Sequence, residues 1–372
     1  MKRILLLVAA LGLVYSAYWL NLRISHNEVS LTPYPYIFTS KTYNDLSNNA
    51  PIVIIGDKLA TRLATFKQRL SEKLSINLSK PIKIVDLTQE GQGVHRSLKK
   101  LKSLNKLPLI IIFMSNTDEQ FEYLFHTQSL KNINHNFKLF SDDKIKTTLM
   151  IFPFLSKLIY EPISRVVLSE LPKQDLNKYS DPEKQLRAAA NFELYRAHLD
   201  ELFSYTQKRN SLIIPITTPL NLKIPPTQSC YGSLVMEDKP QLKKLKQLIA
   251  KEDYKASYNE ALELVMTNPS NAQILYLYAK SLRKLGKFAE AQKYGELAIA
   301  FDCGNTRGSP VYNSILRKIS RTYGYNFFDF HQLLTDESQS NFVFIDDIYP
   351  QDYYLEKVVD TLAFKIKKRL KL

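Results

Sequence analysis

In this 372-residue chain, the residues best placed to do chemistry follow a short β-branched run. Ile52 to Ile55 ends in Gly56-Asp57, the pattern of a buried strand that delivers its C-terminal loop to a site. Hydrolysis of an acyl group at such a loop needs a hydroxyl to attack the carbonyl and an imidazole near neutrality to take its proton. The residue after Asp57 is Lys58, and the nearest hydroxyl on the following helix is Thr61, one turn on. His95, His126, His135, His198 and His331 are the imidazoles at hand. No spacing of His, Cys and carboxylates calls for a metal, and no motif calls for a cofactor.

The surrounding pattern supplies elements to position these groups. A helix over Leu59–Leu74 precedes a second strand at Ile82–Leu87, a turn around Gly91 and Gly93, a basic helix over Val94–Leu104, and the most apolar strand, Leu107–Met114. Strand, helix, strand, helix, strand at this spacing predicts an α/β fold, a three-layer αβα sandwich around a central parallel sheet. The text from Lys144 to Asn210 reads as helical, most clearly over Pro182–Gln207 behind an Asp181 cap. Ser211–Ile216 reads as another strand, Asn326–Phe330 as a final one, and Leu355–Leu370 as a closing helix. Between them Tyr254 and Phe288, Ser257 and Ala291, Leu264 and Ala298, and Pro269 and Cys303 are each 34 residues apart. With Leu275, Ala279, Leu282 and Gly286, this segment resembles tetratricopeptide repeats. About one and a half repeats are too few to stand alone, so the segment must pack on the main domain.

Four blocks in order resemble the SGNH (GDSL) hydrolases. Gly56-Asp57-Lys58-Leu59 is similar to the family's first block; Gly91 follows the second strand as its second-block glycine does; Met114-Ser115-Asn116-Thr117 is similar to the third; Asp346-Asp347-Ile348-Tyr349-Pro350 is similar to the last. The resemblance runs from Pro51 to the C-terminus. It implies that the Gly91 N–H and the Asn116 amide lie where an oxyanion is stabilised. It also implies a departure, because Lys58 stands at the nucleophile position and Tyr349 at that of the base. An ammonium is no nucleophile, and a phenol with pKa near 10 is a poor base. Loss of both argues for a non-catalytic descendant, with Asp346 able to pair with Lys58 across the old pocket.

Lys2 and Arg3 precede an apolar run from Ile4 to Leu20 that spans about 26 Å as a helix, nearly a hydrocarbon core. Trp19 and Arg23 suit an interfacial anchor, and the N-terminal basic residues keep that end cytoplasmic, so the rest faces the exported (periplasmic or extracytoplasmic) side. The predicted organisation is a signal anchor over 1–23, either uncleaved or cut after Val14 and Ser16 before Ala17, a Pro/Asn/Ser-rich linker over 24–50, an α/β domain over 51–230 and 304–372, and inserted repeat-like helices over 231–303. On the exported side Cys230 and Cys303 either pair, pinning the insertion at its base, or are two separate buried thiols. With 45% hydrophobic residues the chain builds a core, and with 10 Gly, 17 Pro and 2 Cys it is neither collagen-like nor disulfide-dense. Its +15 charge favours anionic partners, and export makes anionic lipid or envelope polymer fitter than nucleic acid. The combined expectation is a membrane-anchored pseudo-hydrolase whose helical repeat holds a protein partner in a cell-envelope assembly. The alternatives are an esterase acting on envelope acyl groups through a rearranged site, or a non-catalytic receptor for a glycan or acylated ligand.

Overall fold

Unbroken apolar runs need cover on both faces, and the strands here receive it. The computed structural model describes residues 9–20, 50–76, 81–119, 143–152, 155, 180–232, 234, 238–305, 307–339 and 341–370. They divide into two units, Met1–Thr39 with Phe125–Ser169, and Ser40–Leu124 with Glu170–Leu372. In the second unit β1 (Ile52–Gly56), β2 (Ile84–Asp86), β3 (Ile110–Met114) and β4 (Leu212–Pro215) form one parallel sheet in the order β2-β1-β3-β4. Its helices in chain order are α1 (Lys58–Ala64), α2 (Lys67–Ser75), α3 (Val94–Lys102), α4 (Asp181–Lys208), α5 (Lys239–Ala250), α6 (Tyr254–Thr267), α7 (Ala272–Lys284), α8 (Phe288–Ala300), α9 (Pro310–Thr322), α10 (Phe330–Glu337) and α11 (Asp352–Leu370).

Alternation along β1 sorts the core. Ile52 and Ile54 face Leu59, Leu63, Leu70 and Leu74 of α1 and α2 and Leu355, Val358 and Leu362 of α11. Val53 and Ile55 face Leu98 and Leu101 of α3, Tyr195, Leu199 and Leu202 of α4, and Tyr312 and Leu316 of α9. The fold is therefore α/β with helices on both faces of a parallel sheet.

Three boundaries depart from expectation. The helix over 59–74 is two helices, broken where the Thr65 hydroxyl turns back to the Arg62 carbonyl at 2.7 Å, a local bond that competes with helix continuation. Helix α4 starts behind Ser180, whose N–H is taken by the Glu183 carboxylate at 2.8 Å, so Asp181 sits in the first turn and is not the cap. The final strand at 326–330 reduces to one bridge between Ile216 and Phe328. Odd-numbered residues of β4 face that edge, as the Phe328 N–H to Pro215 carbonyl and the Thr217 N–H to Phe328 carbonyl bonds show, and Pro215 has no N–H to extend the ladder. The chain turns into α10 at once, capped by Asp329.

Helices α5 to α8 share a core of their own, built on Leu245, Leu264, Leu275, Tyr278, Leu282 and Ala291. Helices α6 and α8 begin 34 residues apart, at Tyr254 and Phe288. Helix α8 rests on the main domain through Ile299 against Leu220 and Leu222, and through Gly295, where an added Cβ would sit 3.3 Å from Leu222. At the base of the insertion Cys230 and Cys303 are disulfide-bonded with Cα atoms 5.9 Å apart, and Asp302 accepts the N–H groups of Thr227 and Gln228 at 2.9 Å each.

In the first unit, helices over 9–20 and Asp143–Ile151 are described. Among the described residues no helix is long and apolar enough to cross a membrane. Of the expected 1–23 segment only 9–20 is described, shorter than the ~20 residues that a span needs. Apart from Ala50, the linker lies outside the described residues, as do His126 and His135.

Gly56 ends β1 with φ +145°, and a Cβ there would come within 1.7 Å of the Met114 carbonyl oxygen. Gly56→Ala is therefore expected to destabilise the chain by at least ~3 kcal/mol in urea denaturation, combining strained backbone with displacement of β3; a loss under ~1 kcal/mol would contradict the close packing of these strand ends.

Candidate functional site

Parallel strands bring their carboxyl ends together, and here the ends of β1 and β3 meet the N-termini of α1 and α3. Asp57 is fully buried. Its Oδ1 accepts the N–H groups of Leu59 at 3.0 Å and Ala60 at 3.4 Å, capping α1. Its Oδ2 accepts the Asn116 N–H at 2.8 Å, the Thr117 N–H at 2.8 Å and the Thr117 hydroxyl at 2.7 Å. One carboxylate thus ties the turn after β1 to the loop after β3. Burial pushes this carboxyl up to about 6, the Asp118 carboxylate adds to the rise, and the donors on Asn116 and Thr117 oppose it.

Asp118, also fully buried, closes the space between the two helix starts. Its Oδ2 accepts the backbone N–H of Lys58 at 3.1 Å and that of Gly91 at 2.8 Å, while the Lys58 ammonium lies 3.3 Å from Oδ1. Gly91 reaches this position with φ +74°, where glycine is unstrained. Next to it, buried Glu119 accepts the Val94 N–H at the start of α3 at 3.0 Å and the Ser115 hydroxyl. Two converging N–H groups beside an ammonium make an anion cradle at a helix N-terminus. In this chain the anion held there is its own Asp118 side chain.

The other residues of interest are placed as follows. The Asn116 side chain donates to the Ser309 carbonyl at 3.0 Å and to Asn313 Oδ1 at 3.1 Å, and its Oδ1 accepts the Ser309 N–H at 2.7 Å, so it seats the start of α9. Asp346 does not pair with Lys58 as anticipated, because Asp118 already holds both the backbone and the ammonium of that residue. The Asp346 carboxylate instead accepts the N–H groups of Ile348 at 2.7 Å and Tyr349 at 2.6 Å, shaping the loop that carries the phenol. Tyr349 packs on the α1/α2/α11 core, and burial, followed by the Glu90, Asp118, Asp346 and Asp57 carboxylates, pushes its phenol above the ordinary value. It is deprotonated at neutral pH even less often than a free tyrosine.

The Thr61 hydroxyl donates to the Asp57 carbonyl at 3.2 Å within its own helix. The His95 and His198 rings lie against each other, tilted by 37°, with centres 4.5 Å apart. Burial, reinforced by Lys99 and Lys102, lowers His95 to about 3; burial, reinforced by His95 and the same lysines, also lowers His198. Both rings are therefore neutral packing groups between α3 and α4. The His331 ring meets Glu296 at 3.0 Å, joining α10 to α8. Among the described residues no group of His, Cys, Asp and Glu is arranged to hold a metal ion.

Asp118 and Glu119 are the site residues that the sequence pattern did not single out. The signal available was an acidic pair directly after the three polar residues that follow β3, the same kind of strand-end position that Asp57 occupies after β1. No protein-family model matches this sequence, and no curated protein matches it.

The folded-state carboxyl of Asp57 lies above the 3.8 of an unperturbed one, so the stability it contributes is full below about pH 4 and is lost as pH rises through about 6. Urea denaturation of the full chain and of Asp57→Asn at pH 4, 5, 6 and 7 should show the margin of the native protein over the variant narrowing with pH. A margin that widens instead would mean that the N–H donors outweigh burial.

Proposed function

We propose that this chain is a membrane-anchored, exported pseudo-hydrolase of SGNH ancestry that serves as a scaffold or accessory protein of a cell-envelope assembly. The observation that carries the reading is Asp118: its carboxylate takes the Lys58 and Gly91 N–H groups that in an SGNH-like cleft would face a developing oxyanion. A substrate carbonyl would have to displace a buried carboxylate bound by two N–H groups and an ammonium. The nucleophile position carries Lys58, held by Asp118, and the base position carries a phenol whose proton is held more tightly than usual. Asp118 thus blocks both the anion donors and the nucleophile position, and Tyr349 separately leaves the base position protonated.

The strand order and the placement of Asp57, Gly91 and Asn116 at strand ends support the ancestry. The two helix pairs α5–α6 and α7–α8, offset by one tetratricopeptide-like period and built on a core of their own, support a partner-holding role for the insertion. The membrane part rests on the apolar run from Ile4 to Leu20, whose described portion leaves Leu13, Val14 and Tyr15 exposed.

A short-chain nitrophenyl ester assay tests inertness. The full chain should turn over no faster than Lys58→Ala or Asp346→Ala, and turnover abolished by those changes would defeat the scaffold reading. In the same series Asp118→Ala vacates the cradle, so acetate or phosphate should raise the melting temperature of that variant while leaving the native chain unmoved. Affinity purification of the anchored protein should then recover a stoichiometric envelope partner, lost when 238–303 is deleted.

A further inference from the structure

The opposite end of the sandwich, where the strands begin, has a different character. Helix α11 runs alongside α1 and α2 in the same direction, as the pairs of Arg62 of α1 with Asp352 and of Arg69 and Lys73 of α2 with Glu356 and Asp360 show, so its last turns reach the end of the sheet where the strands start. Among the described residues, Ile76 after α2 is 58% exposed, Leu109 before β3 57%, and Phe364 on α11 69%. Phe364 also lines a groove of about 1190 Å³ between the start of β4, the segment from Tyr323 to Phe327, and the last turns of α11. It exists because Pro215 prevents a fifth strand from zipping along β4.

Its charge is one-sided. Arg321, Lys365, Lys368 and Arg369 line the groove, and among the described residues none of its lining is acidic. Among the described residues Arg321 has an aromatic partner, its guanidinium lying 5.7 Å from the centre of the Phe327 ring. The Lys365 ammonium reaches the Phe327 carbonyl at 3.4 Å and the Phe328 ring at 5.4 Å, and burial lowers its pKa. Cations at helix C-termini offset the helix dipole. That role asks for one or two per helix end and for no exposed Phe364 among them.

Cations interleaved with exposed aromatic and aliphatic side chains at one end of a molecule are suited to a bilayer interface, where rings enter the headgroup layer and ammonium or guanidinium groups meet phosphate. An extended acidic peptide is the less fitting occupant. It would need the outer edge of β4 as a ladder, and Ile213, whose N–H and C=O face that edge, is only 1% exposed. We infer that this groove binds the phosphodiester headgroup of an anionic phospholipid, with Phe364, Ile76 and Leu109 dipping into the same membrane surface. The inference deepens the membrane part of the proposed function and rests on it.

The test uses the full chain in non-ionic detergent with photoactivatable phosphatidylglycerol or phosphatidylcholine, and maps the labelled peptides. Peptides containing 321–327 and 364–369 should be labelled with phosphatidylglycerol and not with phosphatidylcholine. Lys368→Glu with Arg369→Glu should reduce that labelling by roughly tenfold to thirtyfold, as should high salt. Lys368→Gln with Arg369→Gln, which spares the helix end a reversed charge, should give a smaller loss in the same direction. Labelling confined to residues 1–23 overturns the groove and leaves the membrane reading standing, whereas labelling of neither region overturns both. Equal labelling by the two lipids, or poly-glutamate protecting Lys368 from acetylation where phosphatidylglycerol does not, gives the groove to something other than anionic lipid.

Discussion

Removing carboxylates from water is costly unless donors surround them, and three buried carboxylates set the arrangement of this protein's strand ends. Asp57, Asp118 and Glu119 satisfy the opening N–H groups of α1 and α3 and the loop after β3. The constraint runs in both directions. Helix N-termini pointed at a strand end need negative charge, and buried carboxylates need N–H groups. Because Asp118 and Glu119 are consecutive and serve different helices, residues 115–119 tie β3 to the starts of both α1 and α3. The same feature that organises the domain also occupies the anion cradle that a hydrolytic site would leave open.

A second network attaches the insertion. Tyr276 and Arg283 of α7 donate to the carbonyls of Lys223 at 2.9 Å and Leu222 at 3.2 Å, and buried Arg307 donates to those of Asn221 at 3.4 Å and Ile224 at 3.3 Å. The loop that leaves β4 is thus held from both sides. Asn221 in turn donates to the Asp346 carbonyl at 3.1 Å, on the loop that presents Tyr349. A continuous set of hydrogen bonds runs from the inserted helices to the mouth of the sealed cleft, and the Cys230–Cys303 bond keeps the base of the insertion from separating.

What was legible in the sequence is what depends on one segment at a time. The apolar runs of β1, β3 and β4 show burial on both faces, and the 34-residue spacing matches the starts of α6 and α8, where Ser257 and Ala291 are buried and α7 lies between the two in the chain. The strand-end placement of Asp57 and Asn116 follows from their position after β1 and β3, and that of Gly91 from the turn after β2. Illegible features depend on two distant segments agreeing. Lys58 pairs with Asp118, 60 residues away, because both approach Gly91; no local pattern distinguishes that carboxylate from Asp346, which is spent on its own turn. The missing fifth strand was foreshadowed by Pro215, but the loss becomes apparent only once the direction of each β4 N–H is known. Thr65 likewise breaks the first helix through a bond that apolar periodicity does not register.

The two ends of the sheet are opposite in kind, and the difference has a physical origin. At the carboxyl ends, helix N-termini converge on internal acids: Asp118 takes the Lys58 ammonium, and Asp57 and Glu119 take backbone N–H and hydroxyl donors. At the amino ends, the C-terminal turns of α4, α9 and α11 converge and attract lysine and arginine. Cations recruited to offset dipoles at three neighbouring helix ends accumulate beyond what the dipoles need, and the gap left by Pro215 gives them a concave surface with aromatic walls. The two ends depend on different helix termini, so on the proposed reading the loss of hydrolytic chemistry at one end is compatible with a charged surface at the other.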